Sequence, residues 1–169
     1  MTIRQRLWFV LLACTATWVG VDVATVQAIE RKPLPAFSVQ APGGTAVRSA
    51  ELGTDGKWLF VYVEPSCITC DTLLRTIDQG TDPLVASRMV IVVGGVNQAS
   101  IGQFAAAFPV LATAMWYADP SGSATTALKA AGTPFVVGMK QHTMQWMMTG
   151  VVPNAESAKS ALVSWAGQP

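Results

Sequence analysis

Apolar residues along this 169-residue chain fall in short blocks separated by polar, Gly- and Pro-rich turns, and the spacing within each block predicts its backbone. The strongest block is "KWLFVYVE", Lys57 to Glu64. Its aromatic and β-branched residues run almost without polar interruption, as in a strand buried on both faces. Pro65 ends it. From Ser66 to Gln79 the period changes: Cys70, Leu73, Leu74 and Ile77 share one helical face, with Gly80 as C-cap and Pro83 beyond. "RMVIVVGG", Arg88 to Gly95, repeats the buried-strand pattern, and "NQASIGQFAAAF", Asn97 to Phe108, predicts an Ala-rich helix capped by Asn97. A third strand covers Thr113 to Asp119. "PSGSATTALKAAG" then turns at Pro120 and Gly122 into a short helix closed by Gly132.

Phe135–Met139 and Thr143–Thr149 predict a hairpin turning around Lys140, Gln141 and His142, with Gly150 at its end. Asn154 caps a last helix to about Ala166, with Ala155, Ala158, Leu162 and Trp165 facing inward. Upstream, "ERKPLPAFSVQAPGG" predicts an extended lead-in with a turn, and "TAVRSAEL" a short strand. Strand and helix alternate through one α/β domain, residues 29–169. The expectation is a mostly parallel sheet covered by helices on both faces, with an antiparallel hairpin at one edge.

Residues 1–28 follow a different pattern. "MTIRQR" supplies Arg4 and Arg6, "LWFVLLACTATWVGV" is an unbroken apolar run, and "ATVQA" offers small residues at Val26 and Ala28. This reads as an export signal cleaved after Ala28. Two readings compete with it: an uncleaved membrane anchor, against which Asp22 stands, and a lipoprotein signal, because "LLAC" resembles a lipobox ending at Cys14. Each places the domain outside the cytoplasm, in the periplasm or its equivalent.

Composition narrows the function. With 51% of residues hydrophobic and 12% charged, the chain is neither disordered nor a nucleic-acid coat. Removing Arg4, Arg6 and Asp22 from the 11 basic and 10 acidic side chains leaves nine of each, so no strong field steers a charged partner. A monomer is expected.

Removal of Cys14 leaves Cys67 and Cys70, three positions apart in "VEPSCITCDTLL". A bridge across two intervening residues closes too small a loop to staple a fold. Structural zinc takes four Cys or His ligands, and beside the pair only His142, a turn residue, is available. Copper delivery by the two thiolates and one of Met139, Met144, Met147 and Met148 remains open, as does an inert bridge. The position favours redox chemistry. Cys67 opens the helix, where unpaired N–H groups and the helix dipole favour a thiolate, while Cys70 lies one turn further in. Cys67 is then the attacking sulfur and Cys70 the resolving one. No metal or cofactor is required.

The apolar strand, the CxxC at a helix start and the later "GTP" before a hairpin resemble the thioredoxin-like superfamily. Within it the chain resembles the exported TlpA/ResA-type thiol-disulfide oxidoreductases. "LPAFSV" is similar to that group's opening, "LFVYVEPSCITC" to its active-site strand, "FPVLATAMWYADPSG" to its third-strand region and "AGTPFVVGM" to its cis-proline loop. Gly150 matches its closing glycine, and "EPSCITCDTLL" more loosely resembles the MauD proteins of methylamine utilisation.

The resemblance implies a thioredoxin-like fold, a central mixed sheet flanked by helices on both faces. It implies a redox-active Cys67–Cys70 disulfide, with Pro134 as the cis-proline beside it. The backbone of Thr133 would pair with an extended substrate by strand addition. Protein thiols or disulfides would be the substrates, and a membrane protein the electron donor. Three positions depart from the family: Ser66 replaces a tryptophan, Arg75 a helix-kinking proline, and Val61 thioredoxin's buried aspartate. Glu64 and Asp71 are left as the nearest carboxylates for proton transfer. Ile68-Thr69 matches neither Gly-Pro nor Pro-His, so the motif does not reveal the direction of electron flow. A copper metallochaperone and a redox-inactive adaptor are the alternative functions.

Overall fold

The computed structural model describes residues 25–27, 31–150 and 155–168. Most of the expected export signal and the Asn154 cap lie outside the described residues. The described strands form one eight-stranded sheet. They are β1 (Thr25–Gln27), β2 (Ser38–Gln40), β3 (Ala46–Arg48), β4 (Lys57–Val63), β5 (Met89–Gly94), β6 (Met115–Asp119), β7 (Phe135–Lys140) and β8 (Thr143–Thr149). The helices are α1 (Ile68–Asp78), α2 (Pro83–Ala86), α3 (Ile101–Ala106), α4 (Ser123–Leu128) and α5 (Ala155–Gly167).

The sheet order is β1-β8-β7-β4-β5-β6-β2-β3. Only β4, β5 and β6 pair in parallel, and every other pairing is antiparallel. The sheet is therefore mixed rather than mostly parallel. The β7–β8 hairpin is also not the edge, because β1 lies outside it. The short strand expected in "TAVRSAEL" is β3, but β1 and β2, three residues each, give no local strand pattern and join the sheet only through long-range backbone pairing, and β7 runs antiparallel to β4.

β1 pairs antiparallel with β8 in the register Thr25↔Thr149, Val26↔Met148 and Gln27↔Met147. Further along, Pro33 bridges Thr143 and the Lys32 carbonyl accepts from the Met144 N–H at 3.0 Å. Cleavage after Ala28 would remove β1 and leave the second contact in place.

The alternation of β4 shows why its sequence lacks polar positions. Leu59, Val61 and Val63 pack on one side with Leu73, Leu74 and Ile77 of α1 and Leu162 of α5. Trp58, Phe60 and Tyr62 pack on the other with Phe37, Leu52 and Ala124 of α4. Side chains two apart share a face, so a strand covered on both sides must be apolar throughout.

Local chemistry moved several expected boundaries. The Asn97 carboxamide accepts from the Ala99 N–H at 3.1 Å and caps a 3-10 turn, Gln98–Ser100, so only Ile101–Ala106 is α-helical. The third strand starts at Met115, not Thr113, because Leu111–Thr113 is another 3-10 turn. That turn is fixed by the Asp78 carboxylate, which accepts from the Val110 and Leu111 N–H groups at 2.9 Å each. α4 closes at Lys129, whose φ is 53°, rather than at Gly132. α1 closes at Gln79, one residue before Gly80. Pro83 stands at the first turn of α2, where the missing N–H costs nothing, and Asp82 accepts from the Leu84 N–H at 2.7 Å.

Candidate functional site

Two segments meet at the carboxyl end of β4. One is the β4–α1 junction. Glu64, Pro65 and Ser66 are exposed, and the Cys67 N–H donates to the Glu64 carbonyl at 3.2 Å to close the turn. Cys67 is the N-cap of α1 and is half-buried, whereas Cys70 is 1% exposed on the inner face beside Leu73 and Leu74. The two sulfurs form a disulfide. The Cys67 Sγ accepts from the Cys70 N–H at 3.1 Å and lies 3.2 Å from the Thr69 hydroxyl. When the bridge opens, these groups and the helix N-terminus favour negative charge on that sulfur.

The second segment precedes β7. The β4–β7 register Tyr62↔Phe135 brings Thr133 and Pro134 alongside the end of β4. The Thr133–Pro134 peptide bond is cis. The Thr133 hydroxyl donates to Glu64 Oε2 at 3.5 Å, and the Pro134 carbonyl accepts from the Gly150 N–H at 2.9 Å. Gly150 has φ +90°, a conformation that side chains strain to adopt. Beneath the loop, Tyr62 stacks on Phe135 with centroids 4.8 Å apart, and its hydroxyl donates to Asp119 Oδ2 at 3.3 Å. Burial, reinforced by the Asp119 charge, keeps the Tyr62 phenol protonated well above the usual tyrosine range.

A groove of about 330 Å³ opens beside the disulfide on the α3 side. Both cysteines line it, with Leu74, Phe104 and Phe108 as apolar walls and Glu64 and Asp71 among its polar groups. Arg75 donates to Asp71 at 2.7 Å and lies over the Phe108 ring at 5.6 Å. Arg75 therefore offsets a carboxylate near the sulfurs. Nothing in the motif's spacing revealed the groove wall formed by Phe104 of α3 and by Phe108 just beyond its end. Its only sequence signal is that Phe104 and Phe108 stand four residues apart, the spacing of one helical face.

The other candidates separate from this end. His142 is exposed in the β7–β8 turn, at the amino end of β4, since Lys57 pairs with Lys140. Met139, Met144 and Met147 belong to the core face under α4, and Met148 to the face under α1. These methionines do not converge on the two sulfurs as one set.

No protein-family model matches the chain, and no curated relative does. Solved structures do. The chain is similar to a secreted disulfide oxidoreductase of Mycobacterium tuberculosis homologous to E. coli DsbE, at 12% identity and TM-score 0.57, covering 76% of this chain and 95% of that one. It is similar to a secreted thiol-disulfide isomerase of Corynebacterium glutamicum, at 11% identity and TM-score 0.59, covering 88% and 96%. A peroxiredoxin-like protein of Aquifex aeolicus matches at 10% identity and TM-score 0.55, covering 84% and 92%. At such identities the likeness speaks for architecture and not for chemistry. With its mixed central sheet, helices on both faces, disulfide at a helix start and cis-proline preceding β7, the chain has a thioredoxin-like fold.

Proposed function

We propose that this chain is an exported thiol-disulfide oxidoreductase of the TlpA/ResA type. Residues 1–28 act as the export signal and residues 29–169 as the catalytic domain. It exchanges a dithiol for a disulfide with protein partners outside the cytoplasm, and a membrane protein serves as electron donor where the cycle needs one. The observation that carries this reading is the asymmetry of the bridge: Cys67 is half-buried at the helix start and Cys70 is 1% exposed behind it. Export rests on the N-terminal pattern and on neighbours described as secreted. Among the described residues, no helix is long and apolar enough to cross a membrane.

In the reducing direction the Cys67 thiolate attacks one sulfur of the partner's disulfide. An S–S bond forms between them, and the partner's other sulfur leaves as a thiolate. Cys70, deprotonated, then attacks Cys67 Sγ, releasing the second partner thiolate and closing the Cys67–Cys70 bond. Two electrons pass to the partner, and its two sulfurs take up the protons that the cysteines gave. Oxidation of a partner dithiol is the reverse sequence. Glu64 and Asp71 line the same groove as Cys70, within the region where its proton must leave. Thr133 and Pro134 hold the partner's extended backbone by main-chain pairing.

Substitution at the two cysteines tests the reading. Cys70→Ala leaves the attacking sulfur without its resolving partner, so mixed disulfides with client proteins accumulate in vivo, visible as adducts that collapse on reduction. Adding Cys67→Ser removes them. If Cys70→Ala traps nothing and wild type reduces no disulfide in vitro, the oxidoreductase reading is wrong.

A further inference from the structure

Resting on the exchange reading above, we propose that β1 is retained in the working protein and turns its membrane tether toward the disulfide, so that Cys67 and Cys70 face a dithiol carried by a membrane-embedded partner. Strand β1 is then a steering device and not a remnant of the export signal.

Two rows across the sheet carry the geometry. One runs through Thr25, Thr149, Phe135 and Tyr62, and Tyr62 stands five positions before Cys67, at the carboxyl end of β4. The other runs through Pro33, Thr143, Lys140 and Lys57, at the amino end of β4. Five positions of β4 separate the rows, about 17 Å at the rise of a strand. Pairing of Gln27, Val26 and Thr25 with Met147, Met148 and Thr149 carries the chain up the outer edge of β8. Thr25 is thereby brought to the disulfide end, three strand spacings or about 14 Å to the side of β4.

The tether follows from the sequence. The apolar run Leu7 to Val21 ends four positions before Thr25, at most about 14 Å of extended chain. A membrane holding that run lies beside the disulfide end. Without β1 the run would join the sheet at Pro33, twelve positions on and up to about 40 Å away, with the disulfide at the opposite end.

The edge itself favours retention. β8 reads "TMQWMMT", with no charge and no proline, and a sheet edge of that composition needs cover. Lys32 and Pro33 cover its Thr143–Met144 half, and β1 covers Met147–Thr149. Cutting after Ala28 would strip the second cover. In the cycle this orientation fits, two electrons and two protons pass from the partner's dithiol to the Cys67–Cys70 bridge, which opens as the partner's disulfide closes.

The test places the full chain in phosphatidylcholine vesicles that also carry a lipid with a dihydrolipoyl headgroup. Reduction of the Cys67–Cys70 disulfide is followed with that lipid and, separately, with soluble dithiothreitol. Val26→Pro with Gln27→Pro breaks β1, because amides alternate along a strand and one of the two must face β8. The lipid-to-soluble rate ratio is expected to fall about tenfold in this variant, while its rate with dithiothreitol stays that of wild type. Amide hydrogen exchange along Met147–Thr149 should quicken as the strand is lost. A ratio that does not change, or hydrogen exchange that does not quicken, overturns the proposal. So does a purified wild-type chain that begins at Ile29. A chain of full mass, or one lipidated at Cys14, supports it, since both keep β1. Failure of the reduced wild type to reduce bis(2-hydroxyethyl) disulfide overturns instead the exchange reading beneath.

Discussion

Helices α1 and α4 both begin just beyond a strand of the parallel core, β4 and β6, but different groups receive their first amides. At α1 the acceptor is the Cys67 sulfur, half-buried, with the Cys70 N–H at 3.1 Å. At α4 it is the Asp119 carboxylate, 0% exposed. It accepts from the Ser123 and Ala124 N–H groups at 2.9 Å each, from the Ser123 hydroxyl at 3.1 Å and from Tyr62 at 3.3 Å. A helix start favours negative charge in both places. Asp119 is buried among its own donors and has no capacity left for a partner, so its charge serves the fold. Cys67 has few donors and an open groove beside it, so a thiolate formed there when the bridge opens keeps acceptor capacity to spare.

Exchanging the two chemistries should separate these roles. Cys67→Asp places a carboxylate where the sulfur caps α1. Disulfide reduction should fall to the uncatalysed background, about 10³-fold or more, because no sulfur nucleophile remains at the accessible end of the helix. Stability should stay within about 1 kcal/mol of reduced wild type, since aspartate caps well. Rates with bis(2-hydroxyethyl) disulfide and urea unfolding read the two effects separately.

At the other helix the effect should be on folding. Asp119→Ala strands the buried Tyr62 hydroxyl and two helix amides, and should cost about 3 kcal/mol by urea unfolding at neutral pH. A loss below about 1 kcal/mol would show that Asp119 is not the anchor of α4.

The smallest effect concerns pH. Burial holds Tyr62 protonated in the folded chain, while the unfolded chain releases that proton near pH 10. The stability Tyr62 contributes is complete below about pH 10 and is lost as pH rises above it, by at most about 1.4 kcal/mol per pH unit. Tyr62→Phe should flatten that decline between pH 10 and 11. Tyr117, also raised by burial, stays in both proteins and cancels from the difference. Equal slopes would contradict the assignment to Tyr62.

Much of the disulfide end could be read without coordinates. Periodicity placed Cys70, Leu73, Leu74 and Ile77 on one face, and all four are buried there. The change from strand to helix across Pro65 located Cys67 at a helix start. The groove was not legible, because the Ala-rich pattern of residues 97–108 does not say what Phe104 and Phe108 face until the chain returns from β5 and sets them beside Cys67. The Asp78 carboxylate holding the turn at Leu111 bridges 33 positions, and no local pattern announces such a bond. Asn97 was recognised as a cap, but not that the turn it caps would shorten the helix.

The identity of the long central strands, the helix that follows Cys67 and its buried face were set by the sequence alone, because side-chain period and capping are decided within a few residues. The mixed sheet order, the outer position of β1, the meeting of Thr133 with Glu64 and the saturation of Asp119 by Tyr62 were decided only in three dimensions. Each joins segments far apart in the chain. Whether such segments meet depends on which strand edges and apolar faces remain unpaired once the local elements have formed.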